Sequence, residues 1–136
     1  MIKILHMTPP DVNNGVYHYI FNHMEYIDHT RFHFAFLTKG AEDLRLTPEY
    51  KKYGFDVYEL KGVQREDEGK FRQEIRQILK YGFDILHLHT SSWRGFMIEE
   101  IAMELGIPRV IVHSHSAGID EYNSEKRKER MRVHEL

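Results

Sequence analysis

Two pairs of histidines and one polar turn hold the residues of this sequence most able to do chemistry. His87-Leu88-His89 and His113-Ser114-His115 each place two imidazoles at positions i and i+2. On a strand, both members of such a pair share one face. Imidazole is a borderline metal ligand, and it also titrates near neutral pH. Four imidazoles on adjacent strand ends would make a metal site if a carboxylate completed it. Asp120 is the acid best able to reach, and none is well spaced, so the expectation is that no metal is held. In that case His87 and His113 should sit half-buried with hydrogen-bonded nitrogens. His89 and His115 should face a cleft, where they can donate to a ligand hydroxyl or move a proton. No nucleophile motif accompanies them, which leaves acyl transfer without support.

The polar turn is Asn13-Asn14-Gly15, which follows Thr8-Pro9-Pro10. A helix starting at Gly15 presents unpaired N–H groups and a partial positive charge, and both favour an anion such as phosphate. Glycine also lets a ligand approach the backbone with no side chain in the way. The plainer reading is that Asn14 caps the helix and Gly15 eases the turn. The dinucleotide fingerprint G-x-G-x-x-G and the Walker loop are both absent. A third polar stretch, Thr90-Ser91-Ser92-Trp93, ends in a ring that is either a stacking platform or part of the core.

Residues of this kind need a frame, and the hydrophobic pattern supplies one. Ile2–Met7 and Phe32–Leu37 read as buried strands, Asp56–Leu60 as a weaker one, and Phe83–His89 and Pro108–His113 as the fourth and fifth. Between them lie stripes at helical spacing. Val16, Tyr19, Ile20, Met24 and Ile27 form the first; Phe71, Ile75, Ile78 and Leu79 the second; Phe96, Met97, Ile101, Ala102 and Leu105 the third. Thr47-Pro48-Glu49 starts a short helix that Gly54 stops, and Gly82 and Gly106 close the two later ones. Strands alternating with helices predict an α/β domain, doubly wound, with a mostly parallel sheet and helices on both faces. With strand order 3-2-1-4-5, strands one, four and five are neighbours. Ligands in such sheets bind at the carboxyl ends of the strands, where the three polar stretches fall.

Composition narrows the class. The 136 residues suffice for one domain, and 41% hydrophobic content supports a packed core. A net charge of −2, from 19 basic and 21 acidic side chains, offers no field for nucleic acid. Cysteine is absent, which removes disulfides and thiol chemistry. The N-terminal apolar run is too short for an export signal and no run reaches membrane-span length, so the expected compartment is the cytoplasm. The charged tail, Ser124 to Leu136, reads as a solvated helix face. Its alternative is peripheral contact with anionic lipid at the inner face of the membrane, which Glu125 and Glu129 weaken.

Taken in order, Lys3-Ile4-Leu5-His6, Asn14-Gly15-Val16, Phe83 to His89, and Val110 to Ser116 resemble the N-terminal domain of retaining glycosyltransferases of the GT-B architecture. The resemblance is nearest to family-4-like bacterial enzymes of capsular and exopolysaccharide biosynthesis, and it covers nearly the whole chain. It implies a Rossmann-like domain spanning residues 1–136, on the acceptor side of a cleft, with the C-terminal donor-binding domain absent. It implies transfer of a hexose from a nucleoside diphosphate sugar, the co-substrate, to a glycan or lipid-linked acceptor, with no cofactor and no metal. His115 then matches the cleft histidine that contacts the transferred sugar, and Gly15 the glycine near the donor diphosphate. Asn14, His89, Thr90, His113 and Ser116 join them as substrate-binding candidates. Where the family carries Gly-Gly, this chain has Asn14-Gly15. By itself the piece should be inactive. Two other classes compete: a standalone Rossmann- or flavodoxin-like module that binds a phosphate-bearing ligand or a protein, and a metal-dependent hydrolase built on the histidines.

Overall fold

The computed structural model describes residues 1–62, 66–90 and 97–114. The elements run β1 (Ile2–Met7), α1 (Gly15–Met24), β2 (Phe32–Thr38), α2 (Ala41–Leu44), α3 (Pro48–Tyr53), β3 (Asp56–Glu59), α4 (Glu68–Leu79), β4 (Ile85–Thr90), α5 (Met97–Glu104) and β5 (Arg109–Ser114). The five strands form one sheet in the order β3-β2-β1-β4-β5, every pairing parallel. The expected fold class and strand order are both met.

Alternation along the strands divides the core into two layers. On β2, Phe34 and Phe36 face α1, where Val16, Tyr17, Ile20 and Met24 cover them, with Leu44 and Phe55 alongside. Ala35 and Leu37 face the other way, with Leu5 of β1 and Leu86 and Leu88 of β4. There Phe71, Ile75, Ile78 and Leu79 of α4 and Met97, Ile101 and Ala102 of α5 close the layer. Burial on both faces is what makes these strands read as nearly continuous apolar runs. Among the described residues, no helix is long and apolar enough to cross a membrane.

The helix ends follow local chemistry. The side chains of Asn14, Thr47 and Asp67 accept N–H bonds at the starts of α1, α3 and α4. Gly54 closes α3 with φ 65°, a left-handed conformation that side chains resist. Strand ends move by one or two residues from the hydropathy reading, and one helix is new. The one-turn helix α2 is too short to show a period. β4 begins at Ile85, because Asp84 turns its carboxylate to accept the Lys3 backbone N–H at 2.8 Å.

The loop after β1 is fixed from behind. The Tyr17 ring is fully buried, and its hydroxyl donates to the Pro9 carbonyl at 2.6 Å. It lies 2.7 Å from the Thr8 hydroxyl, which can donate back to it, and 3.1 Å from that of Thr38, which itself donates to the Pro9 carbonyl at 3.1 Å. Burial raises the Tyr17 phenol above its ordinary range, so it stays protonated as the donor. Gly40 sits against the Pro10 carbonyl so closely that a methyl group added there would overlap it. At Gly15 an added methyl meets nothing within 4 Å.

These two glycines give opposite expectations. Gly40→Ala should lower stability by about 1–3 kcal/mol through overpacking, whereas Gly15→Ala should stay within about 0.5 kcal/mol of the parent. Urea unfolding of the two variants measures both. Equal midpoints would show that Pro10 does not press on position 40.

Candidate functional site

Parallel pairing puts the carboxyl ends of β1, β4 and β5 side by side, and with them their histidines. In the register of the sheet, His6 lies beside His87, and His89 beside His113. The imidazoles of His87 and His89 stack with centroids 3.9 Å apart, and His6 is 5.1 Å from each. His6 Nδ1 and His89 Nε2 share a hydrogen bond of 2.8 Å, one nitrogen donating and the other accepting. His87 Nε2 lies 3.4 Å from His113 Nδ1.

His6 is the anchor of this group. It is buried between β4 and the rings of Phe34 and Phe36, whose centroids are 4.5 and 5.4 Å away. Burial first, and the neighbouring imidazole of His87 second, push its pKa down to about 3. The ring is therefore neutral at physiological pH. Its Nε2 is buried and has no hydrogen-bond partner among the described residues. Hydropathy reading overlooked His6 as a site residue. The signal was present in the β1–β4 pairing, which sets it beside His87, but that pairing is visible only once the strand order is known.

The candidate residues fall into three groups. Asn14 and Gly15 are exposed at the start of α1, on the same rim as the histidines. The Asn14 side chain accepts the Val16 N–H at 2.9 Å, so it is a helix cap. The N-terminus of α1 is joined to the cluster through Tyr19, whose ring meets His113 edge-on at 5.1 Å. Thr90 ends β4 opposite Ser114, and His113 is half-buried as expected. His89 corrects the expectation of a cleft-facing side chain: only 8% of its surface is exposed. β4 is an inner strand, and the pull of the His6 hydrogen bond turns the ring inward. His115, Ser116 and Trp93 lie outside the described residues. A hollow of about 280 Å³ between α1 and α3, lined by His18, Phe21 and Tyr53 among others, includes neither Gly15 nor the clustered histidines.

Neutral burial of His6 has a pH consequence. Between its folded pKa of about 3 and the usual 6.5, the unfolded chain binds a proton that the folded chain refuses. Stability from this group is complete above pH 6.5 and is lost as pH falls toward 3, by about 2 kcal/mol at pH 5. The titratable groups facing His6 are His87 and His89 of β4, while β2 contributes only Phe34 and Phe36. In metal-free buffer, His6→Phe should flatten this acid limb of the stability curve. An unchanged limb would mean that other groups set it.

No protein-family model matches the chain, and no curated protein matches it. Among solved structures, the chain is similar to a glycosyltransferase from Rickettsia africae ESF-5, with a TM-score of 0.66 and 17% identity over 94% of this chain. A UDP-GlcNAc 2-epimerase from Methanocaldococcus jannaschii aligns over 96% of the chain at 15% identity, with a TM-score of 0.49. The chain spans 33% and 35% of the lengths of these two proteins. At these identities the likeness to the Rickettsia protein is one of fold alone: a Rossmann-like α/β fold.

Proposed function

We propose that this chain is the acceptor-side half of a retaining GT-B glycosyltransferase, of the family-4-like kind. In this reading the full-length protein moves a hexose from a nucleoside diphosphate sugar to a glycan or lipid-linked acceptor. It works in the cytoplasm or at the inner face of the membrane, and the transfer itself uses no cofactor and no metal. The observation that carries the reading is the rim of the sheet. An open glycine at the start of a ten-residue helix shares that rim with the histidine-bearing ends of two strands. The fold likeness to a glycosyltransferase supports it.

The roles divide by chemistry. The positive end of α1 suits a diphosphate, and the open space at Gly15 admits it to the backbone, while Asn14 takes the Val16 N–H. His113 and Thr90 stand at neighbouring strand ends, where hydroxyl-bearing substrates need donors and acceptors. His115, two residues after His113 in the sequence, is the proposed contact to the transferred sugar, with Ser116 next in the chain. His89 acts from beneath, buried and held by His6. In this reading the second wall of the cleft and most of the donor contacts come from a second domain of the full-length protein.

In the full-length protein, His115→Ala should reduce the rate of sugar transfer by about a hundredfold. Gly15→Val should weaken nucleotide-sugar binding about tenfold while leaving the unfolding midpoint in place. Both are read from product formation and donor titration. Full activity in His115→Ala would remove that residue from the site. A protein that binds a phosphate-bearing ligand but transfers no sugar would mark the chain as a binding module instead.

A further inference from the structure

We propose that His6, His87 and His89 form a binding site for one borderline first-row dication, with Zn²⁺ the leading occupant. One nitrogen from each of the three lies within 4.8 Å of the others. Tetrahedral zinc with bonds of about 2.0–2.1 Å holds its nitrogens about 3.3 Å apart. The widest separation that limit allows must therefore close by about 1.5 Å on binding.

Three observations point to a cation rather than to a closed hydrogen-bond network. First, His6 is buried against Phe34 and Phe36, so water does not serve its nitrogens. Second, a hydrogen bond with His89 uses only one of its nitrogens, and Nε2 is left buried without a partner among the described residues. Whichever tautomer His6 adopts, this network leaves a polar atom unmet, an arrangement native interiors seldom keep. Third, the three rings converge from two strands whose register is fixed by the sheet, so the donor set is pre-organised and not gathered from loops.

The chemistry of the set selects the ion. Three imidazoles without thiolate suit Zn²⁺, Co²⁺, Ni²⁺ or Cu²⁺, whereas Mg²⁺ and Ca²⁺ prefer oxygen. His87 is half-buried, so the site is reached from its side, and a water or a ligand oxygen fills the fourth position. His113 Nδ1, 3.4 Å from His87 Nε2, is placed to orient the His87 ring, as the outer partners of metal-bound histidines do. The site shares His89 with the transfer proposal, which itself invokes no metal.

The test is metal titration of the full chain, stripped with chelator and then titrated with Zn²⁺ against a chromophoric competitor. A parallel titration with Co²⁺ is followed by visible absorption. The expected result is one equivalent bound, a tetrahedral-type Co²⁺ spectrum, and affinity reduced at least about tenfold in His87→Gln and in His89→Gln. His18→Gln, on the outer surface of α1, should bind like the parent. Absence of a one-equivalent site in the parent chain overturns the proposal, and that measurement stands even where a variant fails to fold. Binding that survives both substitutions, or an octahedral all-oxygen Co²⁺ spectrum, overturns it too. The readout is bound metal and not product, so it fails or succeeds independently of sugar transfer.

Discussion

The central constraint is the place of β1 between β2 and β4. Ile4 to Met7 hydrogen-bond in parallel to both neighbours, and that double register brings residues more than 80 positions apart into one row. His6 falls between Phe36 on one side and His87 on the other. The aromatic surroundings remove water, and the loss of water keeps the imidazole neutral. A shift of the β1–β4 register by one residue would send His6 to the α4–α5 face, into an apolar layer.

The rim of the sheet is ordered by a second, smaller set of contacts. Tyr17 reaches from the first turn of α1 back to Thr8, Pro9 and Thr38, so helix, loop and second strand share one hydroxyl. Thr38 also accepts the Gly40 N–H at 3.0 Å. Buried hydroxyls that are fully partnered stiffen the backbone around them. The start of α1 is therefore rigid although it is exposed, which is the condition a helix N-terminus needs to hold an anion without first paying for order.

Much of this was legible in the sequence. Five strands, four of the five helices and the capping residues Asn14 and Thr47 follow from periodicity and local propensity, which act over a few residues. α2 was not legible because four residues cannot display a period. His89 was misjudged for a different reason. Alternation says which face a side chain takes, but not what covers that face, and here the cover is an imidazole from β1. His6 was passed over as a site residue on the same ground. Its importance comes from a neighbour 83 positions away, and only the assembled sheet brings them together.

The anchoring of the β1–α1 connection has a consequence for how the protein can vary. Thr8 to Pro10 is pinned on one flank and Tyr17 on the other, while Asp11, Asn13 and Asn14 between them are exposed, held mainly by their own turn and by the Asn14 cap, with Val12 alone packed inward. Such a segment behaves as an interchangeable cassette: its length and side chains can be rewritten with little effect on the scaffold. Diversification during descent, or in a laboratory library aimed at new ligands, would find its cheapest route there.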